Sequence, residues 1–520
     1  MANWACLIPL FPLIAAVMIG LGCFSGLLPS LASERITAKL AVWSLSLSCL
    51  LALGLLTAFL PGYQTHEHAQ FVWLQSGDLQ LPLRVTVNSL NLVLAGLFSI
   101  IFVIVARFSV NYMHKERGFH RFFSILCLFA AAMFLLVLSG SALSAFMGWE
   151  IAGICSFLLI AYAYDRPVAA NNAARAFITN RVGDAGFLMG IGLSLHWIGS
   201  ANWQDINEGA ADLLGNDAVI LALCFSVAAF AKSAQIPFSP WLSRAMEGPT
   251  PSSAVFYGAI MIHAGVIVIL TLQPLFEAAP LAMGVIAVVG LLTAFYGWFS
   301  GLTQTDIKSS LVFSVQAQIG LMFLECGLGF WQLAAWHLGA HTLVRSYQFL
   351  TAPSILHNAH DNPVRTVPSF LAVRPGLFAA AQQRLWLEPA IEWVVVKPVR
   401  RLARDLSFFE IRFVDPLLGS PAPAIRAIST LTQIEERKIG ARLDNDEDRF
   451  ATGSGLAGKL TEWSAGLVNW FEYHFVLRGV GKESIKYGRK LGKSANKLEQ
   501  ILQMPRYLVI FVLISLLIAS

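Results

Sequence analysis

Apolar residues in this chain run in long blocks. Mostly apolar stretches occupy 4–29, 39–61, 87–110, 121–140, 141–163, 169–199, 218–241, 251–274, 280–302, 308–330 and 331–355, with a last one at 505–520. A helix needs roughly 20 such residues to cross the hydrocarbon core, so the pattern predicts about 12 transmembrane helices. The first stretch has neither a basic leader nor a small-residue cleavage site, and it reads as a span rather than a cleavable signal. Between 361 and 504 the long apolar blocks stop. The expected fold class is therefore an all-α polytopic membrane protein in three parts: a transmembrane core over 1–360, a polar segment over 361–504 and a C-terminal anchoring helix over 505–520.

Composition sharpens this division. Of 520 residues 56% are hydrophobic and only 13% charged, about half the charge of an ordinary soluble chain. Thirty-seven of the 67 charged residues lie in 361–504, and the formal net charge of +5 arises there. A secreted, nucleic-acid-binding or disordered protein does not fit. Loops after odd-numbered spans carry Arg35, Lys39, Lys115, Arg117, Arg121, Arg166 and Arg244, whereas 200–217 holds four acids and no base. By the positive-inside rule the N-terminus is outside and 361–504 is cytoplasmic. The seven cysteines all fall in apolar stretches without a CxxC pair, which predicts buried free thiols and no metal knuckle. The chain also lacks a phosphate-binding glycine loop, so the energy for any work it does comes from an ion gradient or a partner.

Charged groups at bilayer depth mark ion paths or paired contacts. Glu150 lies mid-span in FMGWEIAGICSF, and Lys232 in FSVAAFAKSAQIPFSPWL, where Pro237 and Pro240 should break the helix. A desolvated lysine beside such a break can exchange protons; the structural alternative is a Lys232–Glu150 pair that pins two helices. Arg175, Arg181 and Asp184 share the sixth span. Arg181 and Asp184 are three apart and can pair locally, or Asp184 can pair with Lys232. His263 sits in YGAIMIHAGVIVI, as a relay or as a hydrogen-bonded structural histidine. His337, His341 and Arg345 follow at i, i+4 and i+8, a stripe suited to a relay. Two histidines at this spacing can ligate a metal, but a third ligand is missing nearby, so no metal is assigned. The His66–Glu67–His68 run reads as a solvated turn in an outside loop, Glu325 as an interfacial carboxylate, and Lys308 stands near the entry of the tenth span.

The runs MGWEIAGICSFLL, AARAFITNRVGDAGF, AKSAQIPFSPWLSRAMEGPTPSSA and TQTDIKSSLVFSVQAQIGLMF resemble the antiporter-like subunits of respiratory complex I, most nearly subunit L, over roughly 1–355. The resemblance implies an antiporter-like core with a broken seventh helix and a proton path. Glu150 matches the family's mid-membrane glutamate and Lys232 its broken-helix lysine. Asp184, Arg175 and Arg181 match charged positions of the neighbouring helix, and His337 and His341 match its HxxxH run. Arg345 stands where that run has a lysine. Past Ile355 the family's second broken helix is missing. QIGLMFLECGLGFWQLAAWHLGAHTLVRSYQFL is also similar to DabB, the membrane subunit of DAB-type inorganic-carbon accumulation complexes.

The function expected from these resemblances is an H+- or Na+-conducting subunit of a bacterial inner membrane. It would couple an ion gradient to CO2 or bicarbonate uptake or hydration by a soluble, cytoplasmic DabA-like protein, which would hold the zinc; this chain needs no cofactor of its own. The alternative is a proton-translocating subunit of a complex I-related NADH dehydrogenase or membrane hydrogenase. In the cytoplasmic segment, WLEPAIEWVVVKPVRRLARDLSFFEIRFVDPLL reads as an interfacial helix with a basic face for membrane lipid. An acidic loop at 443–455 and a second amphipathic run after it complete the segment.

Overall fold

The structure, a computed structural model, describes residues 2–28, 33–59, 67–76, 79–352 and 367–410. Its helices are α1 (Leu7–Phe24), α2 (Glu34–Phe59), α3 (Ser89–Tyr112), α4 (Phe119–Val137), α5 (Ala142–Ile160), α6 (Pro167–Trp197), α7 (Asp217–Lys232), α8 (Pro240–Arg244), α9 (Thr250–Thr271), α10 (Pro280–Gly301), α11 (Ile307–Gly327) and α12 (Trp331–Thr351), with shorter pieces beyond. Eight of the described helices are long and apolar enough to cross a membrane: those starting at Asn3, Glu34, Ser89, Phe119, Ala142, Thr250, Pro280 and Ile307. Of the other long elements, α6 and α12 fall short of that mark because they carry the polar residues singled out above, and α7 and α8 because the break leaves each piece too short. The expected twelfth span, the 443–455 loop and the second amphipathic run lie outside the described residues.

One departure from an all-helical chain stands between α2 and α3. Strands Glu67–Ser76 and Leu79–Val87 pair antiparallel, Glu67 opposite Val87, with a bulge between Val72 and Leu74. Glu67 and His68 of the HEH run therefore belong to a hairpin strand rather than to a solvated turn. The hairpin continues into the core through a bridge between Val85 and Ser139.

Local signals set the helix starts. Ser141 Oγ accepts from Ser144 N at 3.1 Å and caps α5, the helix of Glu150; Asp306 caps α11 in the same way. Both satisfy amides that the first turn cannot pair internally. Helices α10 and α11 lie backbone to backbone, because a Cβ on Gly297 or Gly320 would meet opposing main-chain atoms at 2.5 Å. Small residues give membrane helices this close approach.

Two helices are interrupted at depth. α7 ends at Lys232, Ala234 adopts a left-handed φ of +50°, and Pro240 opens α8. α9 contains a π-helical segment, Ala254–Ala259, a kink at Ile260 and a 3-10 turn, Met261–His263, before regular helix resumes at Ala264. Nothing in the hydropathy pattern predicted the second interruption.

The first compact unit reaches Val396, beyond the boundary expected at 360. Leu371 and Ala381 pack against Phe299 of α10, and Arg384, Leu385 and Trp386 form a left-handed turn that turns Glu388 toward Arg175 and Arg244. Thus 367–396 belongs with the helical core rather than with a separate polar segment. The helix Lys397–Phe409, in the second unit, has no buried residue among its described positions.

Candidate ion path

α5, α6 and α7 bring the first cluster together. Arg181 Nη2 lies 2.5 Å from a Glu150 carboxylate oxygen and 2.7 Å from Asp184 Oδ2. Asp184 also accepts from the Trp149 indole at 2.8 Å. Lys232 Nζ, 1% exposed, donates to the Trp149 carbonyl at 2.8 Å and sits 5.1 Å from the Trp149 ring centroid. The structure pairs neither Glu150 nor Asp184 directly with Lys232, among the described residues. Both carboxylates close on Arg181, and Trp149 bridges the ammonium to Asp184. The spacing of Arg181 and Asp184 announced their pair; Trp149 carried no such signal. Gly153, one turn past Trp149, leaves room for the ammonium: a Cβ there would stand 3.0 Å from Nζ. A buried charge persists only where dipoles and opposite charges replace water, and this cluster supplies a carbonyl, an aromatic face and two carboxylates.

The next residue, Ser233, joins the two interruptions. Its hydroxyl donates to Ile262 O at 2.7 Å and accepts from Gly265 N at 3.1 Å. Between those two residues lies His263, fully buried. His263 Nδ1 is 2.8 Å from Ala259 O, and Nε2 is 2.9 Å from His341 Nδ1. Arg345 Nε points at His341 Nε2 from 3.3 Å. With both imidazoles neutral, the carbonyl and the guanidinium set the tautomers: Arg345 donates to His341, His341 to His263, and His263 to Ala259 O. Thr342 Oγ1 donates to the same carbonyl. The Ile260 amide bonds to Val255, five residues back, and this irregular ladder presents Ala259 O to the side chains.

The remaining sequence candidates divide. His337 does not continue the stripe as one hydrogen-bonded line. Its ring lies 6.3 Å from that of His341, while Nδ1 contacts Glu325 at 2.9 Å and Nε2 contacts Gln318 Oε1 at 2.9 Å. Glu325, read from the sequence as an interfacial carboxylate, is thus a direct partner of His337. Arg175 turns away from Glu150 to Glu388 at 2.7 Å and Glu392 at 3.0 Å. Glu388 also holds Arg244 at 2.7 Å. Lys308 Nζ donates to Thr250 Oγ1 at 2.6 Å, tying α11 to the first turn of α9. Among the described residues no three metal-binding side chains converge, and none of the seven cysteines forms a disulfide. Sequence reasoning did not single out Trp149, Ser233, Gln318 or Glu388. The acidic pair Glu388 and Glu392, at i and i+4 in a basic segment, was the one available signal.

Comparison with known proteins gives this geometry a context. Residues 139–380 match the family described as NADH:quinone oxidoreductase/Mrp antiporter, transmembrane, and 73–123 match the chain 5 N-terminus of NADH-ubiquinone oxidoreductase (complex I). The NAD(P)H-quinone oxidoreductase chain 5 of Picosynechococcus sp. is 37% identical over 373 residues, 69% of this chain and 55% of that protein. The chloroplastic subunit 5 of Ceratophyllum demersum is 36% identical over 68% of this chain and 49% of its own length. The chain spans about half the length of these curated relatives. Among solved structures, a chain of the Mrp complex from Dietzia sp. DQ12-45-1b superposes with a TM-score of 0.60 at 26% identity, covering 72% of this chain and 40% of that one. A chain of an archaeal membrane-bound sulfane sulfur reductase shares the fold at 18% identity and a TM-score of 0.54.

Proposed function

From the premise that this chain belongs to the antiporter-like membrane subunits related to complex I chain 5, we propose that it conducts protons across the membrane within a larger complex. The observation that carries the reading is the junction of the two interrupted helices: Ser233, the residue after Lys232, bonds the main chain on either side of His263, which pairs with His341 inside a buried core. Lys232 releases a proton when the carboxylates that balance its charge are neutralised, and it recovers one when they ionise. Reorienting Arg181 between Glu150 and Asp184 changes that balance. A proton passes through the imidazole pair only when a ring turns its outer nitrogen away from Ala259 O or Arg345 toward a donor or acceptor such as water, since neither the carbonyl nor the guanidinium exchanges it; no net charge stays buried between transfers. Arg345, always charged, fixes the resting direction of the histidine pair.

The partners we favour are the subunits of a redox complex of the NAD(P)H-quinone oxidoreductase kind, in a bacterial inner membrane with the N-terminus outside and 361–504 cytoplasmic. A second reading couples the same path to inorganic-carbon uptake through a soluble DabA-like zinc protein. It is favoured by the family match ending at residue 380, with the charge-rich remainder following. Co-purification separates them: flavin or iron–sulfur subunits support the first, and a zinc protein of carbonic-anhydrase type the second. The conduction reading itself is tested with Lys232→Ala and Glu150→Gln in the complex reconstituted into liposomes. Both should lose proton uptake; full uptake by both would refute it.

A further inference from the structure

The segment 367–396 closes a charged cavity that the ion path does not use. Its volume is about 400 Å³, and Arg175 of α6, Arg244 of α8, and Arg384, Glu388 and Glu392 of the segment line it. Three guanidiniums thus face two carboxylates, a surplus of one positive charge. Glu388 takes most of the pairing. Its Oε1 accepts from Arg175 Nη1 and from Arg244 Nε, each at 2.7 Å, and its Oε2 from Arg244 Nη2 at 3.1 Å. Glu392 stands 3.0 Å from Arg175 Nε.

Arg384 is the cation left over. Among the described residues its nearest carboxylate oxygen, on Glu388, is 3.8 Å away, and its Nη1 donates instead to the Ser243 hydroxyl at 3.0 Å. The side chain is only 23% exposed and lies over the Phe313 ring at 5.1 Å, so the plane of the guanidinium is fixed and part of its hydration is lost. Arg384, Leu385 and Trp386 all have φ above +50°, a region L residues rarely enter, and such strain persists only where surrounding contacts hold it. A guanidinium held this way presents a planar fork of N–H donors that matches an oxyanion. The neighbouring side chains place the cavity. Leu385, Trp386, Trp393 and Val394, next in sequence to lining residues, are exposed, and tryptophans of membrane proteins gather at the level of the lipid headgroups.

We propose that this cavity binds a phosphate group, with Arg384 as its main contact and Arg175 and Arg244 beside it. Two sources carry that group: the phosphodiester of an anionic phospholipid and free inorganic phosphate. Phosphate fits because the guanidiniums come from α6, from α8 and from the 367–396 segment, and a tetrahedral group can accept from all three directions at once. A phosphodiester carries a single negative charge, which matches the surplus. Glu388 holds Arg175 and Arg244 in place and also competes with the ligand for them. The site stands whether or not Lys232 conducts protons.

A ligand that binds only the folded protein raises its melting temperature in proportion to occupancy. The full chain in its complex, in detergent at constant ionic strength, is therefore titrated with phosphatidylglycerol, with phosphatidylcholine, whose choline cancels the charge, and with sodium phosphate. Arg384→Gln removes one charge-assisted contact and should weaken binding about tenfold. Glu388→Gln keeps the shape of the side chain but removes the competing charge, and should strengthen binding severalfold. A variant that is merely damaged would not bind more tightly, so the opposite signs separate recognition from misfolding. Arg401→Gln, on the exposed helix Lys397–Phe409, should change binding by about twofold or less. With these responses, saturation by phosphatidylglycerol but not phosphatidylcholine assigns the lipid as the source, and saturation by sodium phosphate assigns the free ion. Binding of neither overturns the site. Equal effects of Arg384→Gln and Arg401→Gln, or weaker binding in Glu388→Gln, overturn it as well.

Discussion

The two interrupted helices meet at Ser233, yet they handle a buried polar group in opposite ways. At the α7/α8 break a lysine is held among charges: Arg181, Glu150 and Asp184 surround it through Trp149. At the α9 break two imidazoles are held by hydrogen bonds to a carbonyl, to each other and to Arg345. The charged site needs counter-charges within a few ångströms, since desolvating an ion costs several kcal/mol. The neutral site needs only donors and acceptors of matched direction. The difference suggests a division of labour in which the lysine cluster gates the proton and the histidines hand it on.

The strongest way to break this contrast is to remove the lysine. Lys232→Ala should reduce proton uptake on the order of a hundredfold, the scale on which a positioned proton-transfer group acts. Uptake within a factor of two of the parent would end the gating role. His341→Ala should cost less, roughly tenfold, because water can occupy the vacated space and replace one neutral link. A loss as large as that of Lys232→Ala would erase the distinction between the two breaks.

Arg181→Leu probes the charged side through stability. It strands the buried Asp184 and the partly buried Glu150 carboxylates, and we expect a destabilisation of about 2–3 kcal/mol, below the 3–5 kcal/mol of a fully buried pair, seen as a lower melting temperature in detergent. Adding acid should recover part of that stability in the variant, since neutral carboxyls no longer need the guanidinium. An unchanged melting temperature would mean that Arg181 is not the counter-charge. The smallest effect is expected from Gly153→Ala. Its Cβ would approach the Lys232 ammonium to 3.0 Å, and the flexible side chain can yield, so stability should fall by about 1 kcal/mol or less. Uptake should drop more than stability does. If instead stability falls steeply with no change in uptake, the close packing at Nζ has no part in transfer.

These two regions also differ in how far the sequence discloses them. Pro237 and Pro240 mark the first break because proline lacks a donor and cannot continue a helix. The second break has no proline between Ser252 and Thr271, and its π-helical turn arises from packing against α12, where Thr342 and His341 claim what the ladder leaves. Arg181 and Asp184 were readable as an i, i+3 pair, since one helix fixes their geometry. The Glu150–Arg181 contact and the His263–His341 contact join separate helices, whose rotation about their axes no single stretch of sequence encodes. Arg175 and Glu388 lie 213 positions apart, so the union of α6 with the segment beyond 360 was illegible in the same way. The long apolar blocks gave the helical polytopic fold correctly. They also hid the hairpin at 67–87, which is too short and too mixed in polarity to register in a search for spans.

The most direct test of the account is a double-mutant comparison of proton uptake in the reconstituted complex, using Lys232→Ala, His263→Ala and the two together. Residues acting in one series path are not additive, so the double variant should be no slower than the slower single one. If the two losses multiply, or if either single variant transports at the parent rate, the lysine and the histidine do not lie on one path.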